Sequence, residues 1–269
     1  MRKYRVLIAV AFAVVAISAC STVPITGRRQ LMLVSDKEML SMSFQQYAAF
    51  LKQNNLSANA RQTQMVVRVG TRIEHAVERY FSAHGLADKL DGYQWEFHLV
   101  ESKEANAWAM PGGKVVVYAG ILPLCQNDTG LAVVLGHEVA HAVADHGAER
   151  MSHALLAELG GAALKTAIKN KPEKTRTLWM GAFGAGASYG ALLPFSRTQE
   201  SEADHLGLIF MSMAGYDPRA ATAFWERMEK MGGGKAPPEF MSTHPSDQRR
   251  IADIRRHLPE ALTYYTAGR

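Results

Sequence analysis

The 269-residue chain carries 30 Lys and Arg against 25 Asp and Glu, is 48% hydrophobic, and has two cysteines. That length and apolar fraction suit one compact domain with a proper core, and two cysteines exclude a disulfide-stapled scaffold. Setting aside Arg2, Lys3 and Arg5 leaves 27 basic residues against 25 acidic ones, with no basic stripe interleaved with aromatics, so no nucleic-acid partner is expected.

The first predicted element is a targeting segment. Arg2-Lys3-Tyr4-Arg5 is a positive n-region, and residues 6–17 form an apolar core too short to span a bilayer comfortably. Ile17-Ser18-Ala19-Cys20 places small residues before a Cys, which resembles a bacterial lipoprotein box. Residues 1–19 are therefore expected to be a signal peptide, with Cys20 the lipidated first residue of the mature chain. Plain cleavage near Ala19, with Cys20 incidental, is the alternative. Within that resemblance, Ser21 rather than Asp after the Cys implies the outer membrane in a Gram-negative host, so the expected location is the periplasmic side of that membrane, lipid-anchored. Cys125 is then expected to pack as a small buried hydrophobe.

Residues 20–34 read as an extended, lipidated arm and 35–269 as the main domain. Ser35 with Glu38 three residues on is a capping box opening a helix to about residue 53. A second helix is predicted over about 58–84, with Met65, Val66, Val69, Ile73 and Val77 on one stripe. Residues 93–100 read as a strand. Residues 105–110 and 115–118 flank the Pro111-Gly112-Gly113 turn and are expected to complete a small antiparallel sheet. Helices are predicted over about 129–146, 148–169, 176–192, 197–214, 217–231 and 246–257. Residues 177–196 carry no charge and could just cross a membrane, but their Gly and Ala residues suit close packing in a core as well.

The helix at 129–146 contains His137-Glu138-Val139-Ala140-His141. Two histidines four apart share one helix face and can grip one metal, and Glu138 beside the first can reach a water on that metal as general base. The flanks are apolar nearly all round, so this helix should be buried, and its ionisable groups then need a partner. A satisfied histidine pair without metal is the bland alternative. A metzincin needs Gly and His where this chain has Ala144 and Gly147. His146 lies about 140° around the helix from His141, cannot join the site without a break, and is expected to cap or sit on the surface. Downstream, Glu200 and Asp204 are again one turn apart, so one could ligate while the other fixes the tautomer of a ligand His. The alternative is that Glu200, Glu202 and Asp204 only favour the first turn of a helix. His244, before Pro245, and Arg250 are weaker: either could face the site or solvent.

Leu135-Gly136-His137-Glu138-Val139-Ala140-His141, then Phe195-Ser196-Arg197 leading to Glu200-Ser201-Glu202-Ala203-Asp204, then Thr243-His244-Pro245 and Arg250-Ile251, resembles the HtpX, Oma and CAAX-prenyl-protease type of gluzincin metallopeptidase. Val23 to Val34 resembles the start of the mature domain in its periplasmic lipoprotein members of the BepA and LoiP kind. The likeness spans nearly all of residues 23–257. It implies an α+β, mostly helical, zincin-like fold with a small antiparallel sheet beside the motif helix. It implies one zinc per chain held by His137, His141 and Glu200, with Glu138 as catalytic base and Asp204 behind the ligands. His244 would steady the oxyanion or fill the fourth coordination position at rest. Asn106 and Ala107 would lie on the edge strand along which substrate is laid. Asp128-Thr129-Gly130 departs from the acidic residue usual before the motif helix, which puts the helix start in doubt.

The expected activity is that of a zinc endopeptidase acting on unfolded or misassembled envelope polypeptides. Two alternatives remain: an integral membrane protease using 177–196 as a span, and a chaperone or assembly factor for outer-membrane proteins whose zinc site is plugged. The sequence leaves the oligomeric state open.

Overall fold

Two three-residue strands, β1 (Cys20–Thr22) and β2 (Arg29–Leu31), pair antiparallel and turn the expected arm into a hairpin. The computed structural model describes residues 20–23, 26–159, 182, 196–232, 239–244 and 248–265. The targeting segment 1–19 lies outside them.

Helix α1 (Asp36–Gln53) starts at the capping box read from the sequence: the Ser35 hydroxyl accepts from the Glu38 backbone, and the Glu38 carboxylate accepts in return. Helix α2 (Ala60–Ala83) begins where the Asn59 side chain accepts from Gln62 N. Its stripe of Val66, Val69, Ile73 and Val77 is fully buried.

Strands β3 (Glu96–Val100), β4 (Ala107–Met110) and β5 (Lys114–Tyr118) form a sheet of order β3-β5-β4. It is mixed, not wholly antiparallel: β4 and β5 are joined as read by the glycine turn, but β3 runs parallel to β5. The chain leaving β3 crosses over instead of turning back, so β4 lands on the far edge and β5 occupies the middle. Both faces of β5 are covered. Val115 and Val117 join the core of α2 and the motif helix, while Val116 and Tyr118 join a second cluster with Tyr47 and Phe50 of α1.

A short helix, α3 (Leu122–Cys125), ends at Gln126 in the left-handed region, φ 67°. Asn127 then caps the motif helix α4 (Asp128–Val143), its side chain accepting from Gly130 N at 3.0 Å. The helix start that the sequence left in doubt is thus fixed at Asp128, with Asn127 as its cap. Gly130 is required where it stands, since a Cβ there would lie 1.9 Å from the Cys125 carbonyl oxygen. Cys125 is buried, and burial pushes its thiol up to about 12, as befits a packed hydrophobe.

Helix α4 stops before 146. Asp145 turns the chain with φ 59°, and α5 (His146–Leu159) starts afresh. The remainder of the helix predicted at 148–169, the one at 176–192 and the uncharged stretch 177–196 lie outside the described residues, apart from Ala182 and Ser196. Among the described residues no helix is long and apolar enough to cross a membrane. Helices α6 (Arg197–Met213), α7 (Ala220–Gly232), α8 (Glu239–Thr243) and α9 (Gln248–Tyr264) complete the order. The architecture is the expected α+β, mostly helical one.

One crossing positions everything that follows. Helices α4 and α6 meet at Gly136 and Gly207, where a Cβ on Gly136 would lie 2.8 Å from the Gly207 carbonyl oxygen. Two missing side chains let the backbones touch, which brings the acidic face of α6 against the histidine face of α4.

Candidate metal centre

His137, Glu138 and His141 are all buried on α4. Ser196 caps α6 through a capping box with Gln199, and one turn in, Glu200 and Asp204 point back at α4, also buried. The Nε2 atoms of His137 and His141 are 3.0 Å apart. The Glu200 carboxylate lies 3.4 Å from His141 Nε2 and 3.5 Å from His137 Nε2. His244, at the end of α8, brings its Nδ1 to 3.2 Å from His137 Nε2 and 3.0 Å from Glu200 Oε1.

These separations test whether the residues fit a metal. Donors about 2.0–2.1 Å from a tetrahedral zinc stand about 3.3 Å from one another. The donor–donor distances here, 3.0 to 3.5 Å, match that tetrahedron. Lone pairs turned on one another in a buried space repel, and a divalent cation among them converts the repulsion into coordination. His137, His141, Glu200 and His244 therefore fit a zinc ion.

The groups behind the donors fix their orientation. His137 Nδ1 is 2.9 Å from Asp204 Oδ1, which leaves the Nε2 lone pair for the centre. Arg250 is buried beneath both acids: Nη1 reaches Glu200 Oε2 at 2.7 Å, and Nη2 and Nε each reach Asp204 at 2.8 Å. Its guanidinium lies 3.3 Å from the centroid of the Trp225 ring. Of the two sequence alternatives for Arg250, the structure thus selects pairing with acids.

Charge follows this arrangement. Burial alone would drive both acids toward their neutral forms, but Arg250 and the histidines hold Glu200 well below the usual carboxylate range and Asp204 below it. Burial disfavours the His137 imidazolium, yet Asp204 and Glu200 outweigh it and raise the group to about 9. His141 is lowered, first by burial and then by His137. Burial also takes His244 down to about 4. Glu138, whose Oε1 is 3.4 Å from His244 Nε2, is lifted to about 8 by burial.

Two sequence expectations fare differently. His146 is neither a cap nor a surface residue: it is fully buried, with Nδ1 2.9 Å from His141 Nδ1 and Nε2 3.3 Å from Glu202 Oε2. The reason is the break at Asp145, which swings His146 back beneath His141. An Asp, tolerant of the left-handed region, just before a histidine was the available signal. Asn106 and Ala107 stand at the start of edge strand β4 but are fully buried. The structure links this edge to the donors through Phe240, whose N–H donates to the Ala105 carbonyl at 3.2 Å and whose ring stacks on His244 at 4.6 Å.

A sequence profile described as Peptidase family M48 matches residues 68–258. The chain belongs to peptidase family M48. The mitochondrial metalloendopeptidase OMA1 of Schizosaccharomyces pombe is 36% identical to it over 244 residues, covering 89% of this chain and 66% of that protein. The Saccharomyces cerevisiae protein of the same name is 32% identical over 278 residues, covering 98% and 76%. The β-barrel assembly-enhancing protease of Escherichia coli strain K12 is 30% identical over 166 residues, covering 60% and 34%. By class, the M48 chain is a metalloendopeptidase.

The narrower expectations are corrected by the same findings. The relatives aligned over 89–98% of this M48 chain are mitochondrial proteins, which overturns the placement as a lipid-anchored protein of the bacterial outer membrane. The likeness to bacterial lipoprotein members gives way with it. A basic n-region, a short apolar core and a small residue before a Cys form a generic address, and the pattern does not name a compartment. Cys20 is the first residue of β1.

Proposed function

We propose that the chain is a zinc-dependent endopeptidase that hydrolyses peptide bonds in unfolded or misassembled polypeptides, with His137, His141 and Glu200 as metal ligands and Glu138 as general base. The observation that carries this reading is the ring of donor distances, 3.0 to 3.5 Å, among His137, His141, Glu200 and His244. When bound, zinc supplies positive charge that polarises the scissile carbonyl and acidifies water. Glu138 takes the proton of the attacking water and delivers it to the leaving amine; burial, which lifts it to about 8, makes it a proton-avid carboxylate. Asp204 holds the His137 proton at Nδ1, and Arg250 keeps Glu200 ionised and aimed. Strand addition at β4, near Asn106 and Ala107, would read the main chain of an extended substrate rather than its sequence.

A second reading concerns the resting state. His244 stands among the donors, and Phe240 already uses the Ala105 carbonyl, two residues before β4. Both contacts come from α8, so displacing this one short helix would free a coordination position and an acceptor on the sheet edge together. A latent enzyme, or a polypeptide-binding assembly factor, would keep α8 in place.

Zinc content and casein cleavage of the purified chain test the proposal, with Glu138→Gln as control. The expected result is about one zinc per chain, cleavage abolished by chelation, and a loss of about 10²–10⁴-fold in Glu138→Gln with zinc retained. Wild type that is inert while His244→Ala cleaves would favour the latent state. A zinc-replete chain that is metal-free, or cleavage unchanged in Glu138→Gln, would sink the assignment.

A further inference from the structure

The two candidate ligand histidines need the same thing and obtain it differently. For Nε2 to face the centre as a lone pair, each ring must carry its proton on Nδ1. His137 donates that proton directly to Asp204. The Nδ1 of His141 instead meets His146 Nδ1 at 2.9 Å. One of two facing Nδ1 atoms must accept, so His146 carries its own proton on Nε2, which points at Glu202 Oε2, 3.3 Å away. Glu202 in turn is held by the turn between β1 and β2. Thr26 donates its hydroxyl proton to Oε1, and Arg28 Nε donates to Oε2 at 2.6 Å. The other end of the Arg28 guanidinium forks onto Glu149 of α5 with two bonds of 2.8 Å, and Gln199 of α6 donates to the same carboxylate at 2.7 Å. Arg28 thus ties together α5, which starts with His146, and α6, which carries Glu200 and Glu202.

We propose that His146 and Glu202 are positioning residues for His141, and that the Thr26–Arg28 turn, by holding Glu202, is a working part of the metal centre. The relay runs from the arm through Glu202 and His146 to His141, and whatever engages or withdraws the arm changes how tightly the centre holds zinc. This inference rests on the zinc reading above. Partners of this kind are worth about 10–100-fold in metal affinity when removed directly, and the arm acts one bond further out.

The test uses the full chain in a Glu138→Gln background, which prevents self-cleavage. Zinc affinity is measured by competition with a chromophoric chelator, and the imidazole tautomers are read from ¹⁵N shifts. The Thr26→Val/Arg28→Ala double variant should weaken zinc about three- to tenfold and move the His146 nitrogens away from the Nε2-protonated pattern. Glu202→Gln should weaken zinc further. Arg28→Lys keeps the charge and should recover part of the affinity, which loss of folding alone would not explain. In the active background, kcat should fall with KM unchanged. Zinc affinity within twofold of the parent, with unchanged His146 shifts, overturns the proposal. A parent that binds no zinc instead overturns the function reading, and this inference with it.

Discussion

His137 and His141 sit one turn apart on α4, yet they are supported from opposite ends of the chain. Behind His137 stand Asp204, Arg250 and Trp225, all buried, with charge-assisted bonds of 2.7–2.8 Å under an aromatic lid. Behind His141 stands a longer relay, His146 to Glu202 to Thr26 and Arg28, whose last member is a quarter exposed. The first support is short and buried and belongs to the packed core, so it cannot be altered without altering the fold. The second is stepwise and ends in a surface hairpin, where it can be weakened while the core stays whole.

The largest effect should come from the His137 side. Arg250→Met leaves Glu200 and Asp204 as buried carboxylates without their guanidinium. Breaking a buried pair in this way costs about 3–5 kcal/mol. Urea unfolding of the metal-free variant should show that loss, and added zinc should recover part of it by supplying positive charge beside Glu200. A metal-free loss under about 1 kcal/mol would mean that the two supports do not differ as described.

The sequence made the first support partly legible and hid the second. His137 and His141 share one helical turn, as do Glu200 and Asp204, and a spacing of four survives any tertiary arrangement. The cap read at Ser35 is local chemistry of the same kind. His146 was misplaced because a helix extrapolated through Asp145 points it away; only the reversed φ brings it back. Arg28 and Glu202 are 174 residues apart, and no local pattern pairs them. The parallel pairing of β3 with β5 and the glycine contact between α4 and α6 are likewise properties of two segments together.

That glycine contact offers a way to disturb both supports at once. Gly136→Ala places a Cβ 2.8 Å from the Gly207 carbonyl, backbone that cannot step aside without separating the helices. Overpacking of this kind costs about 1–3 kcal/mol. Because Glu200 faces both histidines, zinc retention should fall together with the melting temperature. If the variant melted like wild type and kept its zinc, the close approach of α4 and α6 would not be what sets the centre.

The smallest effect isolates the hinge on the His141 side. Asp145 holds φ 59° where the motif helix breaks, and burial, reinforced by Asp36, pushes its carboxyl up to about 7. A carboxyl raised on folding binds its proton more tightly in the native state, so stability is highest when it is protonated and falls as pH rises from about 4 through about 7. Asn tolerates the same backbone and carries no charge. Asp145→Asn should therefore match wild type near pH 4 and be more stable at pH 8, by roughly 1 kcal/mol or more, in thermal melts of the metal-free chain. The gain should appear only as the wild-type carboxyl ionises. A constant difference across that range would assign the effect to the backbone turn, and the break that delivers His146 would then owe nothing to the charge.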